Sequence, residues 1–101
     1  MVYHVVSAEI SPGKRQEAEQ FVLKMAAYVN QRFPGANAHV IKNINGNQDN
    51  MHYVETFESM GAWEASEKDL ETDADWLSLV GGGGGLAVPG SAKHNFYQIL
   101  S

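Results

Sequence analysis

Cysteine is absent from this 101-residue chain. That single absence removes disulfides, thiolate metal sites and a thiol nucleophile together. Cations are scarce as well: seven Lys and Arg stand against twelve Asp and Glu, a formal net charge of −5. Nucleic acids and anionic membranes are held through clustered Lys and Arg, and no such cluster occurs here, so neither is expected as a partner. No apolar run approaches the roughly 18 residues of a membrane span. Met1-Val2-Tyr3-His4 places no basic segment ahead of an apolar one, so no secretory leader is read and a cytoplasmic setting is expected. Only three prolines are present, Pro12, Pro34 and Pro89, and each stands beside a glycine in a turn.

What is present suits a packed domain. The composition is 44% hydrophobic and 10% aromatic, enough for a core and too much for a disordered chain. The length fits one domain over residues 1–101. A domain of this size leaves much of its surface wet, so burial against a partner would add appreciably to its stability.

Residues 2–10 are rich in valine and read as a strand. Ser11 and Pro12 then resemble a helix cap and first turn. Ala18, Phe21, Val22, Met25, Ala26, Val29 and Phe33 recur at three-then-four spacing, one apolar stripe on an amphipathic helix that Pro34-Gly35 ends. Residues 37–44 and 51–57 read as strands joined by the polar turn Asn45–Asn50, an antiparallel hairpin. Ser59 caps a helix to about Leu70, with Met60, Trp63, Glu67 and Leu70 along one side. Thr72-Asp73-Ala74-Asp75 reads as a fresh capping box for a short helix carrying Trp76, Leu77 and Val80. Gly81–Gly85 ends that helix, residues 86–92 are loop, and residues 94–100 form the last strand.

This order is the ferredoxin-like βαββαβ plan of the α+β class: a four-stranded antiparallel sheet with helices on one face. The uncovered face should then be polar. Neither parity is polar: Tyr3 and Val5 oppose Val2, Val6 and Ile10, Val54 opposes Tyr53 and Phe57, and Tyr97 and Ile99 oppose Phe96 and Leu100, so both faces read as apolar. Burying each large apolar side chain is worth roughly 1.5–3 kcal/mol, so four or five left wet would forfeit about 6–15 kcal/mol gross. That rivals the whole stability of such a domain, about 5–15 kcal/mol. A second copy of the chain is the expected cover, in a two-fold homodimer.

With Pro12-Gly13-Lys14 after the first strand, Glu55-Thr56-Phe57-Glu58-Ser59 leading into Trp63, and Leu70-Glu-Thr-Asp-Ala-Asp-Trp76, residues 1–80 resemble the dimeric α/β-barrel superfamily. That group includes antibiotic-biosynthesis-monooxygenase-like, stress-responsive and NIPSNAP-like families. The resemblance implies two sheets packed face to face as a barrel, with ligands between each sheet and its own helices. Heme-degrading members use an Asn on the first strand and a Trp and His on the second helical segment. Here those positions fall near Val6, Asp69 and Leu79, so heme is not expected. Cofactor-independent oxygenases of quinone-like substrates have less uniform pockets, and the resemblance leaves that activity open.

The four histidines, His4, His39, His52 and His94, lie one per strand. Parity puts His4 on the helix-covered face and His52 on the other. The strand order expected for this plan sets His4 and His39 toward one end, with His52 and His94 toward the opposite end. Convergence on a metal is therefore not expected. Glu55 shares the helix-covered face with Tyr53 and Phe57, in an interior strand. A carboxylate there costs free energy unless paired, and His4 is placed to pair with it as an acid–base couple. The plainer role for Glu55 is a bond to helix-end N–H groups. Tyr53, Phe57, Trp63, Trp76 and Tyr97 are candidates to line a cavity for a flat apolar ligand, although aromatics at helical spacing more often fill a core. The acids from Glu64 to Asp75 read as a solvated helix face with caps, without calcium-loop spacing. Gly82, Gly84 and Ala87 satisfy a dinucleotide-type glycine pattern, but no strand precedes and no helix follows. The run is a flap or a plain connector.

Two functional readings follow from the sequence. One is an enzyme needing neither metal nor organic cofactor, a monooxygenase or isomerase of a small aromatic or polyketide-like molecule, with His4 and Glu55 moving the proton. The other is a non-catalytic module that binds an apolar metabolite or serves in interactions. A cavity holding Glu55 and His4 separates the first from a layer filled solid by Trp63 and Trp76.

Overall fold

The computed structural model describes residues 1–101. In chain order it forms β1 (Val2–Glu9), α1 (Arg15–Arg32), β2 (His39–Lys42), β3 (Asn50–Phe57), α2 (Met60–Glu71), α3 (Ala74–Gly81) and β4 (Lys93–Gln98). The sheet order is β2-β3-β1-β4 with every neighbouring pair antiparallel, the expected ferredoxin-like α+β arrangement. No helix is long and apolar enough to cross a membrane.

Two helix starts differ from the sequence reading. Ser11 does not cap α1: Lys14 N–H donates to the Ser11 carbonyl across a turn in which Gly13 has φ +77°. Proline followed by a left-handed glycine closes a tight turn, so the helix begins only at Arg15. At α3 the cap is Asp73 rather than Thr72. Its Oδ1 accepts from the N–H groups of Asp75 and Trp76, while its Oδ2 accepts from the Tyr28 hydroxyl and from Arg32 on α1. The Tyr28 bond, then the backbone bond from Trp76, hold the Asp73 carboxyl below the usual carboxylate range. One short side chain thus starts α3 and ties it to α1. Ser59 caps α2 as read, its Oγ accepting from Ala62 N–H at 3.1 Å.

The helix-covered face of the sheet carries His4, Val6 and Ala8 of β1, with Ile10 just beyond it, beside Met51, Tyr53 and Glu55 of β3 and His94 of β4. Two buried clusters join this face to α1. One gathers Ala26, Val29, Ala36, Ala38 and Tyr53; the other gathers Ile10, Ala18 and Met51. Alanines at these positions let the helix approach the sheet closely. Phe21, Val22 and Met25, on the same stripe, stay half-buried, because the space beside them is open.

The other face is divided. Toward one end stand Tyr3, Val5, Val54 and Tyr97, where Tyr3 and Tyr97 are 39% and 54% exposed; Ile41 on the β2 edge, 48% exposed, pairs with His52 toward the other end. Toward the opposite end the same face turns polar, through Ser7, His52, Lys93, Glu9 and Asn50. The expectation of an apolar second face therefore holds for about half of it. The alternation of β1 carries a serine and a glutamate onward where a fully apolar face needed valines.

Candidate functional site

A cavity of about 320 Å³ lies between the sheet, α1, α3 and the glycine run. Its wall is apolar for most of its extent, with Phe21, Met25, Leu70, Trp76 and Leu86 among the lining residues. The polar groups gather at one end. His4 and Glu55, 4% and 5% exposed, are direct cross-strand neighbours on β1 and β3. Their side chains meet with His4 Nδ1 and Glu55 Oε1 2.8 Å apart. The Tyr53 hydroxyl donates to Glu55 Oε2 at 2.8 Å, and His4 Nε2 lies 3.0 Å from His94 Nδ1. A carboxylate only accepts, so Glu55 takes the Nδ1 proton of His4, leaving His4 Nε2 to accept from His94. The chain Tyr53–Glu55–His4–His94 runs from the buried interior to the exposed edge strand.

Burial first, then the negative charge of Glu55 and its hydrogen bond, push the Tyr53 hydroxyl far above its usual range, so it stays a neutral donor. Glu67 reaches the same end of the cavity from α2. Its carboxyl is raised above the ordinary 4.5, chiefly by burial and then by the charge of Glu55, with His4 opposing. A raised carboxyl favours the folded state when protonated; that contribution is full below the unfolded value and lost as pH rises through the folded one. Glu67→Gln should therefore raise the melting temperature at pH 7, and only slightly, because the residue is exposed to solvent that screens its charge. The gain should shrink to nothing as pH falls past about 4.5, and thermal melts of both proteins across that range check it.

The structure brings together His4, Glu55, Tyr53 and Trp76 at the cavity. Trp63 stands outside it, its ring 5.2 Å from that of His4 and edge-on to Phe96 at 4.7 Å. Its Nε1 is buried without a hydrogen-bond partner. Phe57 packs against the core cluster around Val29 rather than the cavity. Tyr97 is a correction: it projects from the opposite face, because β4 presents its even positions His94 and Phe96 to the helices. The separation of His4 from His94 is likewise corrected. His94 pairs with Val6, one diagonal step from His4, and two long rings cross that distance. No group of three His, Cys, Asp or Glu is arranged to hold a metal ion.

Sequence reasoning missed His94 and Glu67. For Glu67 the signal was available, a carboxylate on the side of α2 that also carries Trp63 and Leu70. For His94 only the register of β4 supplies it.

Of the aromatic, hydrogen-bonding and acidic features assembled here, the fold is the part that known structures share, among them NIPSNAP proteins and a protein provisionally named an antibiotic biosynthesis monooxygenase. A NIPSNAP domain protein from Burkholderia xenovorans superposes with a TM-score of 0.80 at 12% identity, over 100% of this chain and 96% of that one. A NIPSNAP family protein from Agrobacterium tumefaciens gives 0.80 at 14% identity, over 97% and 84%. A Deinococcus radiodurans protein, provisionally named an antibiotic biosynthesis monooxygenase, gives 0.74 at 13% identity, over 100% and 94%. No family model matches the sequence, and no curated protein does. Identity this low speaks for shared architecture alone.

Proposed function

We propose that this protein binds a small, flat, hydroxylated or enolisable aromatic molecule and removes a proton from it, the opening step of a cofactor-independent monooxygenation or of an isomerisation. The observation that carries this reading is the hydrogen-bonded His4–Glu55 pair at the polar end of an otherwise apolar cavity. Glu55 uses two of about four acceptor positions on its neighbours, which leaves room for a ligand hydroxyl or an acidified C–H. The proton passes to the carboxylate, which the His4 Nδ1–H and the Tyr53 hydroxyl hold in position. Trp76 and Phe21 supply faces for an aromatic body. Neither Lys nor Arg lines the cavity, whereas Glu55 and Glu67 do. A neutral ligand is therefore favoured over a carboxylate or phosphate.

The reading is tested by titrating hydroxylated arenes and aromatic ketones against the fluorescence of the two tryptophans, alongside acidic analogues. Neutral compounds bind and acids do not; equal binding of both, or of neither, overturns it. A second handle is Gly83, where an added Cβ would fall 2.5 Å from the end of the Phe21 ring. Phe21 borders the open cavity, so its ring can yield in that direction. Gly83→Ala is expected to weaken ligand binding about tenfold, or roughly 1.4 kcal/mol. The cost in fold stability should stay below about 1.5 kcal/mol. Calorimetric binding and thermal melts separate the two effects.

The same reading includes a second copy of the chain on the Tyr3–Val5–Tyr97 half of the open face. It is supported by the exposure of Tyr3 and Tyr97 and by the lack of a helix to cover them.

A further inference from the structure

The polar half of the open face holds a second constellation, remote from the His4–Glu55 cavity because it projects from the opposite side of the sheet. Ser7 on β1 and His52 on β3 are direct cross-strand partners. Ser7 Oγ lies 2.7 Å from His52 Nδ1, and His52 Nε2 lies 2.9 Å from Asn43 Oδ1. The proton positions follow from the network. The Asn43 amide is oriented by its own Nδ2, which donates to the Asn47 carbonyl. Oδ1 is thereby turned toward His52 and can only accept, so His52 Nε2 carries the hydrogen. Nδ1 is left with its lone pair, and the Ser7 hydroxyl must be the donor. A serine hydroxyl donating to an imidazole whose tautomer is set by a third polar group is the arrangement that makes an alcohol nucleophilic.

Beside Ser7 opens a second cavity, of about 310 Å³, lined by Ser7, Glu9, Asn47, Asn50, Ser91 and Lys93 with a single apolar residue. Lys93 is the cross-strand partner of Ser7 on β4, so the serine stands between a base on one side and a cation on the other.

We propose that Ser7 is a base-activated nucleophile toward small, polar carboxylic esters, with His52 as general base and Asn43 as the positioning residue. Ser7 Oγ bonds to the ester carbonyl carbon as its proton passes to His52 Nδ1. The charge that develops on the carbonyl oxygen lies in the cavity that Lys93 borders, where a cation stabilises it. Collapse breaks the bond to the leaving alkoxide, which takes the proton back from Nδ1 and departs as the alcohol. Water, deprotonated by the same nitrogen, then releases the acid and restores Ser7. The lining selects polar acyl groups, since nothing in it rewards a long apolar one.

The wild-type chain can be tested directly with a small uncharged dialkyl phosphofluoridate. In that reaction the Oγ–P bond forms, the P–F bond breaks, and fluoride leaves with the serine proton. Intact-mass measurement should show one adduct per chain, and fragmentation should place it on Ser7. His52→Ala should slow labelling by roughly 10²–10⁴-fold, and Asn43→Ala by about 10–100-fold, as loss of an orienting partner does at other histidines. Asn43→Asp, which still accepts from Nε2, should restore most of the rate. An unlabelled wild-type protein with native circular dichroism overturns the proposal. So does an adduct on a tyrosine or another serine, or a His52→Ala rate equal to wild type. The wild-type result stands even where a variant does not fold.

Discussion

Replacing Glu55 with glutamine is expected to slow proton removal from an enolisable aromatic ketone by roughly 10²–10⁴-fold while the chain stays folded. The amide keeps the shape and still accepts the His4 Nδ1 proton through its oxygen. Its nitrogen, however, cannot accept a proton or the Tyr53 hydroxyl. Leucine in place of Glu55 would be a poor test. It strands the Tyr53 O–H and the His4 N–H in a buried site, at about 1–3 kcal/mol for each unsatisfied group. That is a large share of the roughly 5–15 kcal/mol available to such a domain. Deuterium wash-in at the ketone's α-carbon, followed by NMR, reads the rate, and circular dichroism reads the fold. Wild-type exchange in a folded Glu55→Gln protein would remove the carboxylate from the chemistry and leave the cavity a binding site only.

Tyr3→Asp combined with Tyr97→Asp is expected to split the proposed pair of chains into single ones. Tyr3 and Tyr97 together offer about 3–6 kcal/mol of gross burial per chain at roughly 1.5–3 kcal/mol each. In a two-fold pairing each substitution appears twice, so four unpaired carboxylates meet across one apolar seam. A loss of about 4 kcal/mol raises the dissociation constant roughly a thousandfold. Both positions are exposed in the single chain, so the fold has little reason to suffer. Sedimentation velocity at micromolar concentration should show wild type at twice the chain mass and the double variant at the chain mass. A wild-type protein that sediments as a stable single chain would refute the pairing.

The chemistry of the candidate site was partly legible before any coordinates. Glu55 stood out as a carboxylate at an inward position of an interior strand, and His4 as a polar ring on the same parity of its neighbour. Period-two alternation alone decides those faces. Trp76 and Tyr53 were placed among the aromatics of the helix-covered layer on similar grounds. Tyr97 was not placeable in that way, because assigning a cavity to it required knowing which parity of β4 turns inward. His94 depended on the register of that same strand. The Ser7–His52–Asn43 chain was invisible for a related reason: its members come from two strands and a turn, and nothing local in the sequence marks Ser7.

What the sequence determined alone is the order of elements, the sheet topology that follows from them, the Ser59 cap, and the absence of thiol chemistry. These are local matters, settled by spacing, by turn residues and by composition. Tertiary structure decided that the helix–sheet layer is hollow rather than filled by Trp63 and Trp76, that His4 reaches His94, and that the open face is half polar. Each depends on how far apart packed elements come to rest and on which residues oppose one another across strands. Alanines on α1 bring the helix down at two places, and the unfilled volume lies between them. A gap of that kind is a property of distances between surfaces, and no single stretch of chain encodes it.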